Sequence, residues 1–521
     1  MKSIKLSMLT FATILLSNSY KGQHLKMSPQ EEQLYRPHYH FTPQNGWMND
    51  PNGLFYLEGT YHLFFQHNPE NSKWGSLHWG HATSTDLMTW VEHPDAIAPD
   101  KLGYIFSGSA VVDNDNTSGF GNGKNTPVVA IFTYHDMDKE KAGNIDVESQ
   151  AIAYSLDKGK TWTKYSDNPV LKNPGIRDFR DPKVFRDETR QQWVMVLAAQ
   201  DRTHFYTSKN LKDWKFLSEF GKDFGSHDGV WECPDLFPLK IEGTNEEKWV
   251  LIVNINPGGP NGGSAAQYFV GDFDGKTFKM DDAFTKQLQK EKTLWLDWGR
   301  DNYASVSFDN VPDYKRTIIG WMSNWEYAAD VPTERWRSSS TIPREVSLKK
   351  TSDGYTLRNL PVHQLSDYKG KSVQKTTTLK STQILLKTGE LDLTKTVADF
   401  DIKNLKEEIY TFTISNDLGE KVSFGINNKE HYLFVDRQHS GRIDFKDNFA
   451  DRISKAPLDK AYSEASFKIL LDKTSLEIFF NNGEKVMTEI FFPNKPYSEL
   501  SMATEAKGTS VSMNANQLNI K

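Results

Sequence analysis

The sequence predicts an all-β protein in which a five-bladed β-propeller is followed by a C-terminal β-sandwich. Three observations lead to this prediction. The chain of 521 residues is rich in aromatic residues (12%, with 14 Trp) and has few segments of helical period. A turn motif recurs along its first two thirds, and the pattern of the sequence changes after about residue 362. Aromatic residues favour strands, and evenly repeated short strands with a periodic aromatic motif are typical of propellers.

The recurring motif is a strand, then a polar turn, then an aromatic residue. It ends at Trp90, Trp162 and Trp214, and a fainter copy ends at Phe278. Asp, Asn and Gly close such turns because they bond their own backbone or tolerate left-handed geometry. With the hairpins that precede these turns, the pattern divides the region into five units, one four-stranded blade each. The alternative is a sandwich whose turns are similar by chance.

We predict that the propeller spans residues 33–362 and the sandwich residues 363–521. Beyond Leu360-Pro361-Val362 the segments alternate apolar and polar residues, and Asn482-Gly483 is a strong hairpin signal. This region has no acidic motif with distinctive neighbours. We therefore expect it to pack against the propeller, and a sugar-binding role stays open.

The N-terminus has the pattern of a signal peptide over about residues 1–22. Lys2 and Lys5 precede a short apolar run, residues 6–16, and small residues Ser17 and Ser19 follow it. We expect a secreted or periplasmic protein; the alternative is a disordered start to a cytosolic one. No later segment approaches the length of a membrane span, so membrane insertion is not expected.

The charge and the cysteine content exclude several classes of protein. The net charge is -6 and there is no basic stripe, so nucleic acid is not an expected partner. Cys233 is the one cysteine, which rules out an intramolecular disulfide. We interpret it as a buried supporting residue rather than a thiol nucleophile. The pairs His38 with His40 and His78 with His81 are spaced like metal ligands, but histidines in strands more often bond to the backbone, so no metal site is predicted.

Three acidic residues stand at the starts of three of the five units: Asp50, Asp181 and Glu232. The inner strands of a propeller converge on one axis, so these side chains should share one funnel. In the run 47–53, Pro51 fixes its own φ and biases Asp50 towards an extended conformation. A bare Asp-Pro-Asn-Gly would more simply be a surface turn. The presence of the two other acidic motifs in the same chain favours a catalytic site instead.

Asn49-Asp50-Pro51, Arg180-Asp181-Pro182 and Trp231-Glu232-Cys233-Pro234-Asp235 together resemble the three signature motifs of glycoside hydrolase family 32, the invertase, inulinase and levanase family. The run Gly320–Tyr327 is similar to the exo-acting inulinases and levanases of that family. The motifs occur in the family's order, and the resemblance covers nearly all of the chain after the signal peptide. Further matches are Gln66-His67-Asn68-Pro69, Trp74-Gly75, Phe106-Ser107-Gly108-Ser109 and Asp297-Trp298-Gly299-Arg300-Asp301.

The resemblance implies a role for each acid. Asp50 would attack C2 of fructose, Glu232 would be the general acid and base, and Asp181 would stabilise the transition state. It also implies a subsite for the terminal fructose, with apolar walls from Phe106 and Trp325. The polar and aromatic residues of that subsite would be Asn49, Gln66, Trp74, Ser107, Arg180 and Asp297. Neither a metal nor an organic cofactor is required.

The chemistry of the bond leads to the same residue types. A retaining glycosidase needs two carboxyls about 5–5.5 Å apart, one to attack and one to protonate the leaving oxygen. The acid must keep its proton near neutral pH, so its pKa must be raised by burial or by a nearby negative charge. Glu232 lies between Trp231 and Cys233, two neighbours of low polarity that would desolvate it.

The expected substrate is a fructose-containing oligo- or polysaccharide. We predict the release of terminal fructose from levan or inulin, and also from sucrose. An invertase acting mainly on sucrose and a fructosyltransferase are the alternatives within the family. Propellers that cut arabinan or xylan, and a non-catalytic sugar-binding propeller, are the alternatives outside it. The sequence leaves the oligomeric state open.

Overall fold

The computed structural model describes residues 34–312 and 316–520, and the predicted signal peptide lies outside them. The first part of this chain forms five small antiparallel sheets, and their innermost strands contact one another in a ring. The predicted five-bladed propeller is therefore confirmed.

Blade one contains β1 (Gly46–Leu57), β2 (Thr60–Asn68), β3 (His78–Ser84) and β4 (Val91–Ile97). Blade two contains β5 (Tyr104–Val112), β6 (Val128–His135), β7 (Glu148–Ser155) and β8 (Thr163–Lys164). Blade three contains β9 (Phe179–Asp187), β10 (Gln192–Ala199), β11 (Arg202–Ser208) and β12 (Lys215–Phe220).

The last two blades complete the ring. Blade four contains β13 (Val230–Lys240), β14 (Glu247–Asn256), β15 (Ala265–Phe273) and β16 (Phe278–Met280). Blade five contains β17 (Tyr303–Ser307), β18 (Arg316–Trp321), β20 (Arg344–Thr351) and β21 (Gly354–Pro361). Between β18 and β20, the short strand β19 (Trp336–Arg337) crosses to blade one and pairs in parallel with Gly46 and Trp47 of β1. This pairing joins the end of the propeller to its beginning. Two short helices, Met137–Lys141 and Asp282–Glu291, lie in connections between strands.

The recurring turn motif joins the third and fourth strands of the blades. In blades one and three, Asp86 and Asn210 each accept hydrogen bonds from the backbone N–H groups two and three residues ahead, at 2.8–3.0 Å. The turn then needs one residue in the left-handed region, and φ is 65° at Leu87, 65° at Lys158 and 62° at Leu211. The repetition in sequence is thus a repetition of one turn geometry.

The C-terminal part is a sandwich of two six-stranded antiparallel sheets, as predicted. A 3₁₀ helix, His363–Tyr368, links it to the propeller. The first sheet has the order β22 (Lys369–Thr378), β33 (Ser510–Leu518), β24 (Lys395–Lys403), β29 (Glu464–Asp472), β30 (Ser475–Phe480) and β31 (Lys485–Ile490). The second has the order β23 (Gln383–Lys387), β32 (Glu499–Ala503), β25 (Ile409–Ser415), β26 (Lys421–Asn427), β27 (Tyr432–His439) and β28 (Ser454–Pro457). The alternation along these strands places one apolar face of each sheet in a common core.

Buried ion pairs fasten the sandwich to the propeller. His40, six residues before β1, places Nδ1 2.9 Å from Asp472 and Nε2 2.7 Å from Glu477, and all three side chains are buried. Glu477 also pairs with Arg344 of blade five. Burial alone would lower the pKa of His40, but the hydrogen bonds that its ring donates to the two carboxylates raise it to about 9. The histidine is therefore a buried cation at neutral pH.

The expectation that the paired histidines bond to the backbone is wrong for three of the four. His40 binds two carboxylates, His78 lies 3.1 Å from Asp95, and His81 lies 3.1 Å from a nitrogen of His62. Their partners come from other strands, which a local spacing pattern does not reveal. Within the described residues, no group of three or more His, Cys, Asp or Glu side chains could hold a metal ion.

Candidate active site

The innermost strand of every blade carries an irregularity at its start. An extra residue in one strand of a pair bends it and re-aims its side chains, which is why bulges are common beside active sites. The register shifts fall between Met48 and Pro51 in β1, Ile105 and Gly108 in β5, Arg180 and Lys183 in β9, Glu232 and Asp235 in β13, and Tyr303 and Val306 in β17.

Proline accompanies three of these bulges. Pro182 and Pro234 lie inside the shifted stretch, where a residue without an N–H costs the ladder nothing, and Pro51 is the first paired position after it. The backbone also enters the left-handed region at two of these places, with φ of 65° at Asp181 and 42° at Cys233. The motifs that predicted the site are thus the motifs that break the strands.

The bulges surround a pocket of about 290 Å³ at one end of the propeller axis. Ten of the eleven predicted site residues line it. They are Asn49, Asp50, Gln66, Trp74, Phe106, Ser107, Arg180, Asp181, Glu232 and Trp325.

Asp50 is held by hydrogen bonds to both of its oxygens. Ser107 donates its hydroxyl to Oδ2 at 2.7 Å, and Asn49 donates its amide to Oδ1 at 3.0 Å. Asn49 is itself oriented by the indole N–H of Trp47 at 2.7 Å. The carboxylate therefore has a fixed direction, which an attacking group requires.

Glu232 is held from two sides. Arg180 donates to Oε1 at 2.9 Å through Nη2, and Tyr303 donates its hydroxyl to Oε2. Burial raises the pKa of Glu232, Arg180 opposes that rise, and the charge of Asp50 adds to it, so the net direction is upward. A carboxyl in this setting retains its proton to higher pH than an exposed one.

Asp181 is buried, whereas Asp50 and Glu232 are only half-buried. The backbone N–H of Cys233 donates to its Oδ2 at 3.0 Å, and the thiol of Cys233 lies 3.5 Å from Asp50 and 3.6 Å from Asp181. Burial raises the pKa of Asp181, Arg180 lowers it, and the charges of Glu232 and Asp50 raise it again, with a net upward direction. Because burial and neighbouring charges raise the pKa values of two of the three carboxyls, the cluster keeps a proton to higher pH than exposed carboxyls would.

Charged groups of the same pocket wall hold Arg180 in place. Its Nη1 donates to Asp178 at 2.8 Å and to the buried Glu148 at 3.0 Å. Glu148 also accepts from His135 at 3.1 Å, and the His135 ring stacks on Phe106 at a centroid distance of 4.3 Å. The guanidinium thus keeps its position between the acids without a ligand.

Tyr303, Glu148 and His135 were missed by the sequence reasoning. Tyr303 stands at the start of the fifth inner strand, where units one, three and four carry their acids, so its position in the repeat was a usable signal. Glu148 and His135 lie at the ends of β7 and β6, and they carry no motif.

Gln66 and the aromatic walls face the space that a ligand would occupy. Both amide atoms of Gln66 are buried and have no hydrogen-bond partner in the described residues. Buried polar atoms are nearly always paired, so this amide is available to a ligand. Trp74 and Ile145 both line the pocket, and they are 39% and 46% exposed. Trp325 is fixed by stacking on Trp47 at 5.8 Å.

The prediction for Asp297 is corrected by the structure. This residue lies outside the pocket, 1% exposed, in the contact between propeller and sandwich. Its carboxylate pairs with Arg344 at 2.9 Å and accepts from the Thr488 hydroxyl at 2.6 Å and the Gly299 N–H at 2.8 Å. Because this carboxylate is buried and its oxygens are already hydrogen-bonded, it is not available to bind a sugar.

Comparison with known proteins identifies relatives along the whole described chain. Residues 40–361 match the model of the glycosyl hydrolases family 32 N-terminal domain, and residues 362–521 match the family 32 C-terminal model. A levanase of Bacillus subtilis is 44% identical over 516 residues, which cover 98% of this chain and 74% of the levanase. An extracellular exo-inulinase of Aspergillus awamori is 40% identical over 491 residues, covering 89% of this chain and 90% of the relative.

Solved structures agree with these matches. The crystal structure of exo-inulinase from Aspergillus awamori superposes with a TM-score of 0.84 at 36% identity, covering 94% of this chain and 99% of that one. The β-fructofuranosidase from Schwanniomyces occidentalis, complexed with fructosyl-erythritol, gives a TM-score of 0.83 at 34% identity, covering 94% and 98%.

Proposed function

The chain belongs to glycoside hydrolase family 32, and we propose that it is a retaining exo-acting β-fructosidase that releases terminal fructose from levan or inulin and also cleaves sucrose. The observation that carries this proposal is the meeting of Asp50, Asp181 and Glu232 in one pocket with Arg180 between them. The names of the relatives, levanase and exo-inulinase, support the substrate class.

In the first step, Asp50 attacks C2 of the terminal fructose while Glu232 gives its proton to the leaving oxygen. The bond from C2 to that oxygen breaks while a bond from C2 to Asp50 forms, which gives a covalent fructosyl–enzyme. The transition state of this step is oxocarbenium-like, with positive charge spread over the sugar ring. In the second step, Glu232 takes a proton from water, the water oxygen attacks C2, and Asp50 leaves. Two inversions at C2 give net retention.

The contacts of Glu232 suit both steps. Burial raises the pKa of Glu232, which favours the protonated form that the first step needs, and the donors Arg180 and Tyr303 stabilise the carboxylate that remains after it. One group can therefore act as acid and then as base without moving. Asp181 and Arg180 lie where they can bind hydroxyls of the sugar, and Gln66 and Asn49 add amides to the same subsite.

We also propose that the enzyme acts outside the cytoplasm. The signal-peptide pattern at the start of the sequence and the extracellular exo-inulinase relatives support this. In the described part of the chain, no helix is long and apolar enough to cross a membrane.

The test is a timed product profile on levan, inulin and sucrose for the wild type, Asp50→Asn and Glu232→Gln. Fructose alone should appear from the start on each polymer, because an exo-acting enzyme removes one end unit at a time. Each substitution should lower kcat by at least about 10²–10⁴-fold with the fold intact. Early oligosaccharides would contradict exo action, and kestose-like products at high sucrose would show transfer.

A matched control comes from the rim of the same pocket. Glu140 lines the pocket, but its carboxyl is 51% exposed and contacts His135 rather than the three acids. Glu140→Gln removes one charge in the same way and should keep the rate within a few-fold. Equal losses in all three variants would refute the assignment of Asp50 and Glu232.

A further inference from the structure

A further acidic side chain, Glu148, lines the catalytic pocket without a part in the steps assigned to the three acids. It is the first residue of β7 in blade two, and its carboxyl is 1% exposed. Burying a carboxylate costs free energy unless the group is paired and hydrogen-bonded. The partners of Glu148 therefore indicate why a carboxylate stands at this position.

Both oxygens of Glu148 are hydrogen-bonded. Oε1 accepts from Arg180 at 3.0 Å and lies 3.1 Å from Nδ1 of His135, and Oε2 accepts from the backbone N–H of Phe179 at 2.6 Å. The other ring nitrogen of His135 lies 3.3 Å from Glu140, whose carboxyl is 51% exposed. Burial raises the pKa of Glu148, but the charge of Arg180 and the hydrogen bond with His135 outweigh burial and lower it. Glu148 is therefore an anion in the pocket wall at neutral pH.

The guanidinium of Arg180 is shared between Glu148 and Glu232. Nη1 donates to Glu148 at 3.0 Å and Nη2 donates to Glu232 at 2.9 Å, so the two carboxyls bind different nitrogens of one planar group. Burial alone would lower the pKa of Arg180, but the charges of Glu148 and then of Glu232 raise it well above its ordinary value. A permanently ionised group thus competes with Glu232 for the same cation.

This sharing matters because a general acid must hold its proton. A positive charge at hydrogen-bonding distance favours the ionised form of a carboxyl and lowers its pKa, and Arg180 has this effect on Glu232. An anion on the same guanidinium offsets part of that charge, while Nη2 still donates to Glu232. Glu232 therefore keeps the donor that stabilises it as a carboxylate, with less of the charge that would ionise it too early.

We propose that Glu148 is a positioning residue for the general acid, which acts through Arg180: it holds the guanidinium beside Glu232 and offsets the charge that would otherwise take the proton from that acid. This role rests on the proposed function, because Glu232 has to be the acid for its proton to matter. Glu148 itself touches neither the sugar nor the reacting atoms in the steps described above.

The other titratable groups around the two carboxyls come from several strands. Facing Glu232 are Asp50 of β1, Asp181 of β9, Cys233 of β13 and Tyr303 of β17; facing Glu148 are His135 of β6, with Glu140 behind it, and Asp178 on the same guanidinium. The group among these that binds Glu148 directly and also titrates near neutral pH is His135. Its proton can respond to a change at Glu148, so a test has to hold it constant.

The test is the pH dependence of kcat/KM for sucrose, or for inulin if that is the sugar cleaved, because the alkaline limb reports the acid of the free enzyme. Glu148→Gln keeps the size of the side chain and removes its charge. Its alkaline limb should lie about 0.5–1 pH unit below that of the wild type, since Arg180 then acts on Glu232 with its full charge. The same shift should appear in a His135→Gln background, where the histidine cannot respond.

Two variants separate charge from other effects. Glu148→Asp keeps the charge, so its limb should stay closer to that of the wild type than the limb of Glu148→Gln, whatever the loss in rate. Glu219 of blade three also contacts one arginine and one histidine, Arg202 at 3.3 Å and His204 at 3.6 Å, and it lies outside the described lining of the catalytic pocket. Glu219→Gln removes the same net charge from the protein and should leave the limb unmoved.

Asp178 provides the test if Glu148→Gln does not fold. It accepts from Nη1 of Arg180 at 2.8 Å, but its side chain is 25% exposed, so solvent screens its charge. Its φ of 54° suits asparagine. Asp178→Asn should move the limb in the same direction as Glu148→Gln, by a smaller amount.

The role of Glu148 is overturned by an unmoved or raised limb in Glu148→Gln, by equal shifts in Glu148→Asp or Glu219→Gln, or, where Glu148→Gln does not fold, by an unmoved limb in Asp178→Asn. Each of these results leaves the proposed function standing, because the wild type still releases fructose. If the wild type releases no fructose from any of the three sugars, or if Glu232→Gln keeps the full rate, the proposed function fails and the role of Glu148 fails with it.

Discussion

His40 makes the stability of the enzyme depend on pH in a way that one substitution can isolate. The hydrogen bonds that its ring donates to Asp472 and Glu477 outweigh burial and raise its pKa from 6.5 to about 9. A group whose pKa is raised by folding stabilises the protein fully below its unfolded value, and this stability is lost as the pH rises through the folded value. The difference between 6.5 and about 9, at 1.36 kcal/mol per pH unit, amounts to about 3 kcal/mol.

The assay is denaturant unfolding followed by tryptophan fluorescence, at several pH values between 6 and 10, for the wild type and His40→Gln. At pH 6 the variant should be less stable by about 3–5 kcal/mol, because it leaves two buried carboxylates without their cation. The gap should shrink by about 3 kcal/mol by pH 10, where the wild-type histidine has lost its proton. Titrating groups that do not contact His40 behave alike in both proteins and cancel in the difference, whereas Asp472 and Glu477 lose in the variant the cation that lowers their pKa values. A gap that stays constant from pH 6 to pH 10 would refute the reasoning.

Three further predictions concern the site and its surroundings. Tyr303→Phe removes a hydrogen bond that lowers the pKa of Glu232, so the alkaline limb of the kcat/KM profile should move to higher pH; a lower rate with an unmoved limb would speak against this. Glu232→Ala should be far less impaired on an aryl β-fructoside than on sucrose, because a good leaving group needs no proton; equal losses on both substrates would exclude Glu232 as the acid. Asp297→Asn should lower the melting temperature, since it breaks a buried pair with Arg344, but leave KM for sucrose unchanged; a raised KM with normal stability would restore the substrate contact.

The three acids could be predicted from the sequence because the chain marks them with proline. Pro51, Pro182 and Pro234 each follow an acid within two residues, inside or directly after the stretch where the strand leaves its ladder. The same bulge in blades two and five contains no proline. The repeat located the start of the fifth unit without a proline. Nothing in the composition of that start indicated that Tyr303 reaches Glu232.

Contacts between blades account for the rest of what the sequence did not reveal. Glu148 supports Arg180 from the neighbouring blade, 32 residues away in the chain, and no local pattern encodes such a pairing. The error for Asp297 is the opposite one: the sequence reasoning placed it in the site, and the structure places it elsewhere. A motif match establishes that a residue is present, but the direction of its side chain is decided by its neighbours, here Arg344 and Thr488.

The same contacts explain why a sandwich without acidic motifs accompanies the propeller. Asp472 accepts hydrogen bonds from the backbone N–H groups of His38 and Tyr39 and from the ring of His40. These three residues precede Asp50 by twelve positions or fewer. Glu477 binds the same ring from the other side and also holds Arg344 of blade five. The sandwich thus fixes the segment that leads into the nucleophile's strand and ties it to the last blade. Since removing one side of such a network leaves buried charges uncompensated, the catalytic pocket depends on a domain that does not line it.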